Sequence, residues 1–376
     1  MARTPDPIWL ANPSRLARIT RTQARLWLVA LIVLLLASAS AVVTPGPPVV
    51  SHDPASAASD RADVLLYQQI VAGVRGGGNY YAVASSAQRQ NGYPVRPFVT
   101  MRLPTLALLQ AALPNTVTIA LIYCLAAAAM AAWFVRLRTA LPRPAPRMIA
   151  LALLGCGLLI CLRTDLVAFH EIWAGLLVTL SLALWRKDAW TLAIGVAACA
   201  MLIRETAALY AIIMAIAALM SGNRRELLGW CAALGLLSVA VAAHYYGWSL
   251  VVRPDDPAGP GWSGMLGFGF FTKTVTLLTA LAPLPELLGV TLVALAIFGW
   301  ASWRDPTAIR ALAVIAAYAL LISLFCRTDT YYWGLMVAPF TLIGLAFSID
   351  GLRDLIVGLG DHRRVIVTKT ALGDGQ

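Results

Sequence analysis

Long runs of apolar residues alternate with short polar connections along most of this chain. The runs cover residues 25–43, 115–135, 148–162, 172–185, 189–203, 206–220, 227–246, 284–302, 308–325 and 331–349. A helix of about 20 apolar residues spans the ~30 Å hydrocarbon core of a bilayer. Barrel strands would alternate in polarity, and these runs do not. The pattern predicts an all-α protein, a polytopic transmembrane helical bundle of about ten spans in a single integral membrane domain, 1–376.

The runs at 189–203 and 206–220 are separated only by Arg204 and Glu205. One continuous helix would be unusually long and would place the basic residues Arg186 and Arg224 on opposite sides of the membrane. In a hairpin, each arm of 15 residues is about 22 Å long, which is shorter than the bilayer is thick. We therefore expect a hairpin whose Arg-Glu tip is recessed below the outer surface.

The net charge of +11 is distributed unevenly along the chain. Most of the 29 Lys and Arg residues fall in alternate connections: the N-terminus, 136–147, Arg186 and Lys187, Arg224 and Arg225, Arg304 and Arg310, and a basic tail at 350–376. Cytoplasmic loops of membrane proteins carry such an excess. We therefore expect both termini in the cytoplasm of a bacterium, with the chain in the inner membrane. The basic charge is therefore interpreted as a signal of topology, with at most a small contribution from binding of anionic membrane lipid, and nucleic acid is not an expected partner.

The longest segment outside the apolar runs is an exterior loop at 44–113, which follows a first span predicted to be an uncleaved anchor. Apolar residues at helical spacing predict an amphipathic helix over 63–74, lying at the membrane interface. The glycines at 76–78 are expected to end it, because glycine adopts backbone angles that other residues resist. A second short helix is predicted over 105–113.

With this topology, four groups of polar residues face the exterior. They are Asp60 and Asp63 in the first loop; Arg163, Asp165, His170 and Glu171; Arg204 and Glu205; and Arg327, Asp329 and Tyr331. Ionisable residues at membrane depth are costly unless they are paired or face water, so a functional role is the default hypothesis. The structural alternative is that these acids and arginines pair only to hold the helix ends together.

Each candidate residue has a chemical role that its side chain suits. Asp63 could act as a general base toward a hydroxyl nucleophile, or it could simply cap the helix that it begins. Asp60 lies three residues earlier, and the two carboxylates could share a divalent cation. Arg204 and Arg327 offer guanidinium donors that match phosphate oxygens. His170 could donate to a phosphate, or it could be an interfacial histidine bonded to the backbone.

Several short motifs resemble the GT-C superfamily of polytopic glycosyltransferases, which use polyprenyl-phosphate-linked sugars. The likeness lies in a long exterior loop after the first span and in the motifs Asp63-Val-Leu-Leu-Tyr67, Gly78-Asn-Tyr80-Tyr81, Gly92-Tyr93-Pro94, Arg102-Leu-Pro104, His170-Glu171 and Arg204-Glu205. The resemblance implies a transferase that moves a sugar, with inversion, from a polyprenyl-phosphate donor to an acceptor hydroxyl on the exterior face. The acceptor would be a glycan, a lipid or a protein.

The same resemblance implies roles for particular residues. Asp63 matches the first-loop acid that serves as catalytic base, and Arg204 and Arg327 suit the donor phosphate. Many members carry an Asp-x-Asp pair, whereas this chain has Asp60 three residues before Asp63, so dependence on a divalent cation stays open. The main alternative is a transporter or flippase of a lipid-linked or anionic envelope precursor, and a second is a non-catalytic scaffolding subunit.

Overall fold

A computed structural model describes residues 6–46 and 62–360 of the chain, and within these ranges the fold is all-helical, as predicted. The α-helices are α1 Arg21–Ala39, α2 Ala62–Arg75, α3 Tyr80–Gln90, α4 Thr105–Ala112, α5 Asn115–Ala140, α6 Pro144–Leu158, α7 His170–Leu184, α8 Thr191–Ile203, α9 Ala208–Met220, α10 Arg224–Ser249, α11 Gly267–Leu277, α12 Glu286–Ser302, α13 Pro306–Phe325, α14 Ala338–Thr341 and α15 Gly344–Gly360.

Among the described residues, five helical segments are long and apolar enough to cross a membrane: Arg21–Val43, Asn115–Ala140, Pro144–Leu162, Arg224–Ser249 and Pro306–Phe325. Shorter apolar helices include His170–Leu184, Thr191–Ile203, Glu205–Met220 and Glu286–Ser302. This composition is that of a helical membrane protein. The figure of about ten spans stays a prediction.

The part of the first loop that the structure describes, from residue 62 onward, contains three short α-helices where two were predicted. Helices α2 and α4 match the predicted segments closely, and the glycine turn follows α2, with Gly77 at φ +89°. Helix α3 was not predicted. It begins at an Asn79 cap, whose side chain accepts hydrogen bonds from the amides of Tyr81 and Ala82. Such a cap satisfies amides that the first helical turn would otherwise leave unpaired.

Helices α8 and α9 run in opposite directions, as expected of a hairpin. The Trp185 indole, just before α8, donates to Glu226 at the start of α10 over 2.7 Å. At the other end, Arg204 between α8 and α9 donates to Glu171 at the start of α7 over 2.6 Å. The chain therefore travels from the Trp185 end to the Glu171 end and back within residues 191–224.

The predicted span at 331–349 is wrong as a single helix. The chain instead forms 3₁₀ turns over Thr328–Met336, then the short helix α14, and only then α15. Pro339 explains part of the break, because a proline has no amide hydrogen to donate to the carbonyl four residues earlier and is tolerated only in the first turn of a helix, where it lies in α14. The predicted tail at 350–376 also begins too early, since α15 continues to Gly360; residues 361–376 lie outside the described ranges.

The N-terminal segment ties several helix ends together at one end of the bundle, called here the basic end. The Asp350 carboxylate accepts hydrogen bonds from the backbone amides of residues 8–10, and Asp354 accepts one from Ser14. The amide of Ala11 donates to the last carbonyl of α5, and that of Arg15 to the last carbonyl of α12. Segments that the charge pattern assigned to one side thus meet at one end.

Candidate functional site

A cavity of about 110 Å³ lies at the end of the bundle opposite the basic end. Five parts of the chain build it: helix α2, helix α3 with the loop that follows it, helix α4, the start of α7, and the 3₁₀ turns near residue 332. The polar side chains that line it are Asp63, Tyr67, Tyr80, Gln88, Tyr93, Thr100, Arg102, Gln110, His170 and Tyr332. Segments 270 residues apart in the sequence therefore contribute to one polar cavity.

Asp63 lies in the first turn of α2 and is held by Tyr93. The Tyr93 hydroxyl donates to Oδ1 of Asp63 over 2.6 Å. Burial, and then the hydrogen bond to Asp63, raise the pKa of Tyr93, so the phenol keeps its proton and stays a donor. The loop that carries Tyr93 is fixed in turn, because the Trp248 indole donates to the carbonyl of Val95 over 2.9 Å. The carboxylate thus has a defined orientation on the cavity wall.

Arg102 faces the same cavity. Its Nε donates to the Tyr67 hydroxyl over 3.0 Å, and Nη2 lies 3.7 Å from Oε1 of Glu171. Desolvation raises the pKa of Tyr67 to about 12, so this phenol is also neutral. The Tyr80 hydroxyl donates to the Arg102 carbonyl over 2.6 Å and fixes the backbone there. Within the described residues, neither terminal nitrogen of Arg102 makes a hydrogen bond, which leaves both able to donate to a ligand.

His170 is the second donor-capable group on that wall. Its side chain is buried and packs edge-on against the Tyr67 ring, with centroids 4.9 Å apart. Neither ring nitrogen has a hydrogen-bond partner within 6–46 and 62–360. A buried polar group without a partner is costly and is rarely left so in a folded protein. The backbone-bonded histidine considered from the sequence is therefore not what the described residues contain.

Glu171 and Arg204 lie behind the cavity wall as a buried ion network. Arg204 is only 2% exposed and donates from Nε to Glu171 and from Nη1 to Glu205. Because Glu171 also lies beside Arg102, one carboxylate connects the two guanidinium groups. Arg204 does not line the cavity. It orients the carboxylate of Glu171, which in turn pairs with Arg102.

The other predicted site residues lie apart from this cavity or outside the described ranges. Arg163 pairs with Asp165 at 2.7 Å, and Arg327 pairs with Asp329; these are local, solvent-accessible ion pairs. Tyr332 lines the cavity, whereas its neighbour Tyr331 does not. Asp60 lies outside the described residues. No group of three or more metal-ligating side chains occurs in 6–46 and 62–360.

Sequence reasoning assigned no role to Arg102, Tyr93 or Gln88, although Tyr93 and Arg102 belong to the motifs Gly92-Tyr93-Pro94 and Arg102-Leu-Pro104. Arg102 stands between two apolar residues, Met101 and Leu103, directly before a predicted helix. An isolated arginine in such a setting is a usable signal, because a buried charge needs a partner. The contacts of all three residues depend on how the first loop folds, which the local pattern does not specify.

Comparisons with known proteins found no match: no protein-family model, no curated protein and no solved structure matches the chain. The functional argument therefore depends on the cavity itself. It presents a carboxylate held by a phenol on one part of its wall. On another part it presents the guanidinium of Arg102, whose terminal nitrogens make no hydrogen bond to a described residue although Nη2 lies near Glu171, and the ring nitrogens of His170, which have no partner among the described residues. Such a cavity can accept a proton at one place and bind an anion at the other.

Proposed function

We propose that this chain is a membrane glycosyltransferase that transfers a sugar from a polyprenyl-phosphate donor to an acceptor hydroxyl. The single observation that carries the proposal is that Asp63, Arg102 and His170 face one cavity, with both nitrogens of His170 unpartnered. The likeness of the first-loop motifs to the GT-C superfamily points to the same activity.

In this proposal, the donor phosphate binds to Arg102 and His170. A guanidinium with free terminal nitrogens can contact two phosphate oxygens at once. Arg204, which the sequence suggested for this role, supports Arg102 through Glu171 instead. Arg327, paired with Asp329 away from the lining residues, has no place in the phosphate site as proposed.

Asp63 is the proposed general base. The acceptor oxygen attacks the anomeric carbon while its proton passes to the Asp63 carboxylate, and the bond from that carbon to the phosphate oxygen breaks with its electron pair on the phosphate. Attack opposite the leaving group inverts the anomeric centre. A singly charged phosphodiester becomes a polyprenyl phosphate with one more negative charge, and Asp63 becomes neutral. Negative charge thus moves from Asp63 toward Arg102 and His170.

The proposed orientation follows from the distribution of charge. The basic end carries the segments that the positive-inside rule assigns to the cytoplasm. The cavity at the opposite end would then open toward the exterior of a bacterial inner membrane, where the lipid tail of the donor stays in the bilayer. Glycan, lipid or protein acceptors would approach from outside.

The test is substitution of Asp63 by asparagine in proteoliposomes supplied with radiolabelled polyprenyl-phosphate sugars extracted from bacterial membranes. Asp63→Asn keeps an oxygen to accept from Tyr93 but removes the base, and general-base catalysis is typically worth about 10²–10⁴-fold. We expect the label to stay on the polyprenyl phosphate and not to appear on a glycan, lipid or protein acceptor, as chromatography of the products would show. The matched control is Asp329→Asn, a carboxylate outside the cavity, which should transfer normally.

A transporter would behave differently in this assay. It would move the labelled lipid or its head group across the bilayer without transferring sugar to any acceptor, in both variants and in the unmodified protein. Sugar transfer that persists at the normal rate in Asp63→Asn would show that Asp63 is not the base.

A further inference from the structure

Besides the ring nitrogens of His170, the cavity wall contains a second buried polar atom with no hydrogen-bond partner among the described residues: the side-chain amide oxygen of Gln88, in the same part of the first loop as Tyr93. Gln88 is 4% exposed, near the end of α3, and it lines the cavity. Its amide nitrogen donates to the carbonyls of Pro94 and Thr100 over 3.1 and 3.3 Å. Its amide oxygen is buried and receives no hydrogen bond from any described residue.

The orientation of this amide is fixed by its own partners. Amide nitrogen and oxygen are often difficult to tell apart, and the surrounding hydrogen bonds decide between them. Both neighbours of the Gln88 nitrogen are backbone carbonyls, which can only accept. A flipped amide would place its oxygen against two other acceptors. The unpartnered atom is therefore an oxygen, and it needs a donor.

The surroundings of Gln88 define which donor would fit. Asp63, which lines the same cavity, also presents an acceptor, whereas Arg102 and His170 present donors. A ligand that satisfies the cavity therefore carries hydrogen-bond donors near Gln88 and an anion near Arg102. A sugar joined to a phosphate has this arrangement, because its hydroxyls donate and its phosphate oxygens accept.

We infer that Gln88 is a specificity-determining residue whose amide oxygen accepts a hydrogen bond from a sugar hydroxyl. The inference rests on the proposed function, since it assigns that function's sugar a place in the cavity. A hydroxyl of the donor sugar and a hydroxyl of the acceptor share the same chemistry, and the experiment separates them. A site built to bond a hydroxyl discriminates against ligands that lack it, because its buried acceptor is then left unpaired.

The experiment measures equilibrium binding to the purified full-length protein in detergent. The probes are farnesyl phosphate alone and farnesyl phosphate linked to glucose, galactose, mannose or arabinose. We expect at least one sugar-bearing probe to bind more tightly than farnesyl phosphate to the unmodified protein. Gln88→Met should reduce that preference about tenfold, the effect of one hydrogen bond of ordinary strength. It should leave the affinity for farnesyl phosphate unchanged.

A control variant and a second probe complete the design. Gln90→Met changes the same residue type on the same helix at an exposed position, and it should keep the full preference. Methyl glycosides of the four sugars, added to the complex with farnesyl phosphate, report the acceptor position. If Gln88→Met weakens the methyl glycoside and spares the donor preference, Gln88 contacts the acceptor hydroxyl.

Three results would overturn the inference. The first is a preference that Gln88→Met leaves intact for both kinds of probe, as expected if only water meets the amide oxygen. The second is an equal loss of affinity for farnesyl phosphate itself, which would make Gln88 a structural tie for residues 94–100. The third is an unmodified protein that prefers none of the sugars. Failure of the proposed function would be seen in the transfer assay instead, because the unmodified protein would then transfer no sugar from a polyprenyl-phosphate donor, whichever probes it binds.

Discussion

Glu171 is the residue whose loss should most disturb the site without touching the proposed chemistry. Its carboxylate is fully buried, lies 2.6 Å from Nε of Arg204 and lies 3.7 Å from Nη2 of Arg102. Glu171→Gln removes the negative charge and keeps the shape of the side chain. The buried guanidinium of Arg204 and the largely buried one of Arg102, which is 14% exposed, would then lose the carboxylate that they share, while Glu205 would still pair with Arg204.

The magnitude follows from the distances. Two unit charges 4 Å apart attract by about 4 kcal/mol at an effective dielectric constant of about 20. Removing one partner of a buried pair costs about 3–5 kcal/mol, because the other charge stays buried without compensation. We expect Glu171→Gln to lower the free energy of unfolding by about 3–5 kcal/mol.

The assay is reversible unfolding of the purified protein in mixed micelles with increasing sodium dodecyl sulfate. The matched control is Glu205→Gln, because the Glu205 side chain is partly exposed and Arg204 would keep Glu171. Its expected cost is about 1.5 kcal/mol, the lower end for a hydrogen bond to a charged group. Equal costs for the two variants would refute the view that Glu171 neutralises both arginines.

Three further predictions concern the frame around the site. Asp350→Asn weakens the hold on three N-terminal amides and should lower the free energy of unfolding by about 1.5–3 kcal/mol, with faster proteolysis of the N-terminal segment as the direct readout. The hydrogen bond from Arg89 lowers the pKa of Asp256. This pair therefore stabilises the fold above the ordinary carboxyl pKa near 4 and ceases to do so as the pH falls through the lower folded-state value. Asp256→Asn should lower the melting temperature at pH 7, and the difference from the unmodified protein should shrink as the pH falls below the ordinary carboxyl pKa near 4. Gly175→Ala should prevent normal folding, because the added Cβ would overlap the backbone carbonyl of Leu335. Gly195→Ala adds a Cβ in open space and should raise the free energy of unfolding by up to about 1 kcal/mol. Melting curves of the two variants test both expectations.

The helices that the sequence predicted well are those whose own residues decide their structure. Helix α2 has an apolar face, an acid in its first turn and glycines after its end. Residues within and next to the helix therefore determine where it begins and ends. The opposed directions of α8 and α9 could be inferred because a single continuous helix would have placed the basic residues Arg186 and Arg224 on opposite sides of the membrane. Helix α3 was missed because it has few strongly apolar residues, and its buried face consists largely of the small or polar side chains of Ala84, Ser85, Ala87 and Gln88. The break near Pro339 was missed because this proline lies within a long run of apolar residues, and the run as a whole resembles a single membrane span.

The candidate site was predicted in part, for a similar reason. Asp63 and His170 stand out as polar residues beside apolar helices, and both line the cavity. Arg327 stands out equally, yet it pairs with the aspartate two residues later. The sequence predicts at which end of the bundle a charged residue lies, but it does not predict which residue pairs with it. Arg102 depends on contacts with Tyr67 and Glu171, 35 and 69 positions away, which only the folded chain brings together.

The charge balance of the cavity leads to a final prediction about Arg102. Asp63, Glu171 and Glu205 oppose Arg102 and Arg204, so the five groups together carry one net negative charge. The donor diester brings one further negative charge, and the proposed reaction moves a second onto the phosphate only as the glycosidic bond breaks. An arginine beside that phosphate therefore interacts more strongly with the transition state than with the bound donor, and such interactions raise kcat.

Arg102→Gln should consequently lower kcat by about 10²–10³-fold, as loss of one such donor does elsewhere, with a much smaller rise in KM for the donor. Steady-state transfer assays with varied donor concentration measure the two constants separately. Arg163→Gln, at an arginine outside the cavity, is the control and should leave both unchanged. If Arg102→Gln raised KM and left kcat intact, the arginine would bind the donor uniformly, and the movement of charge toward it would not be what the site stabilises.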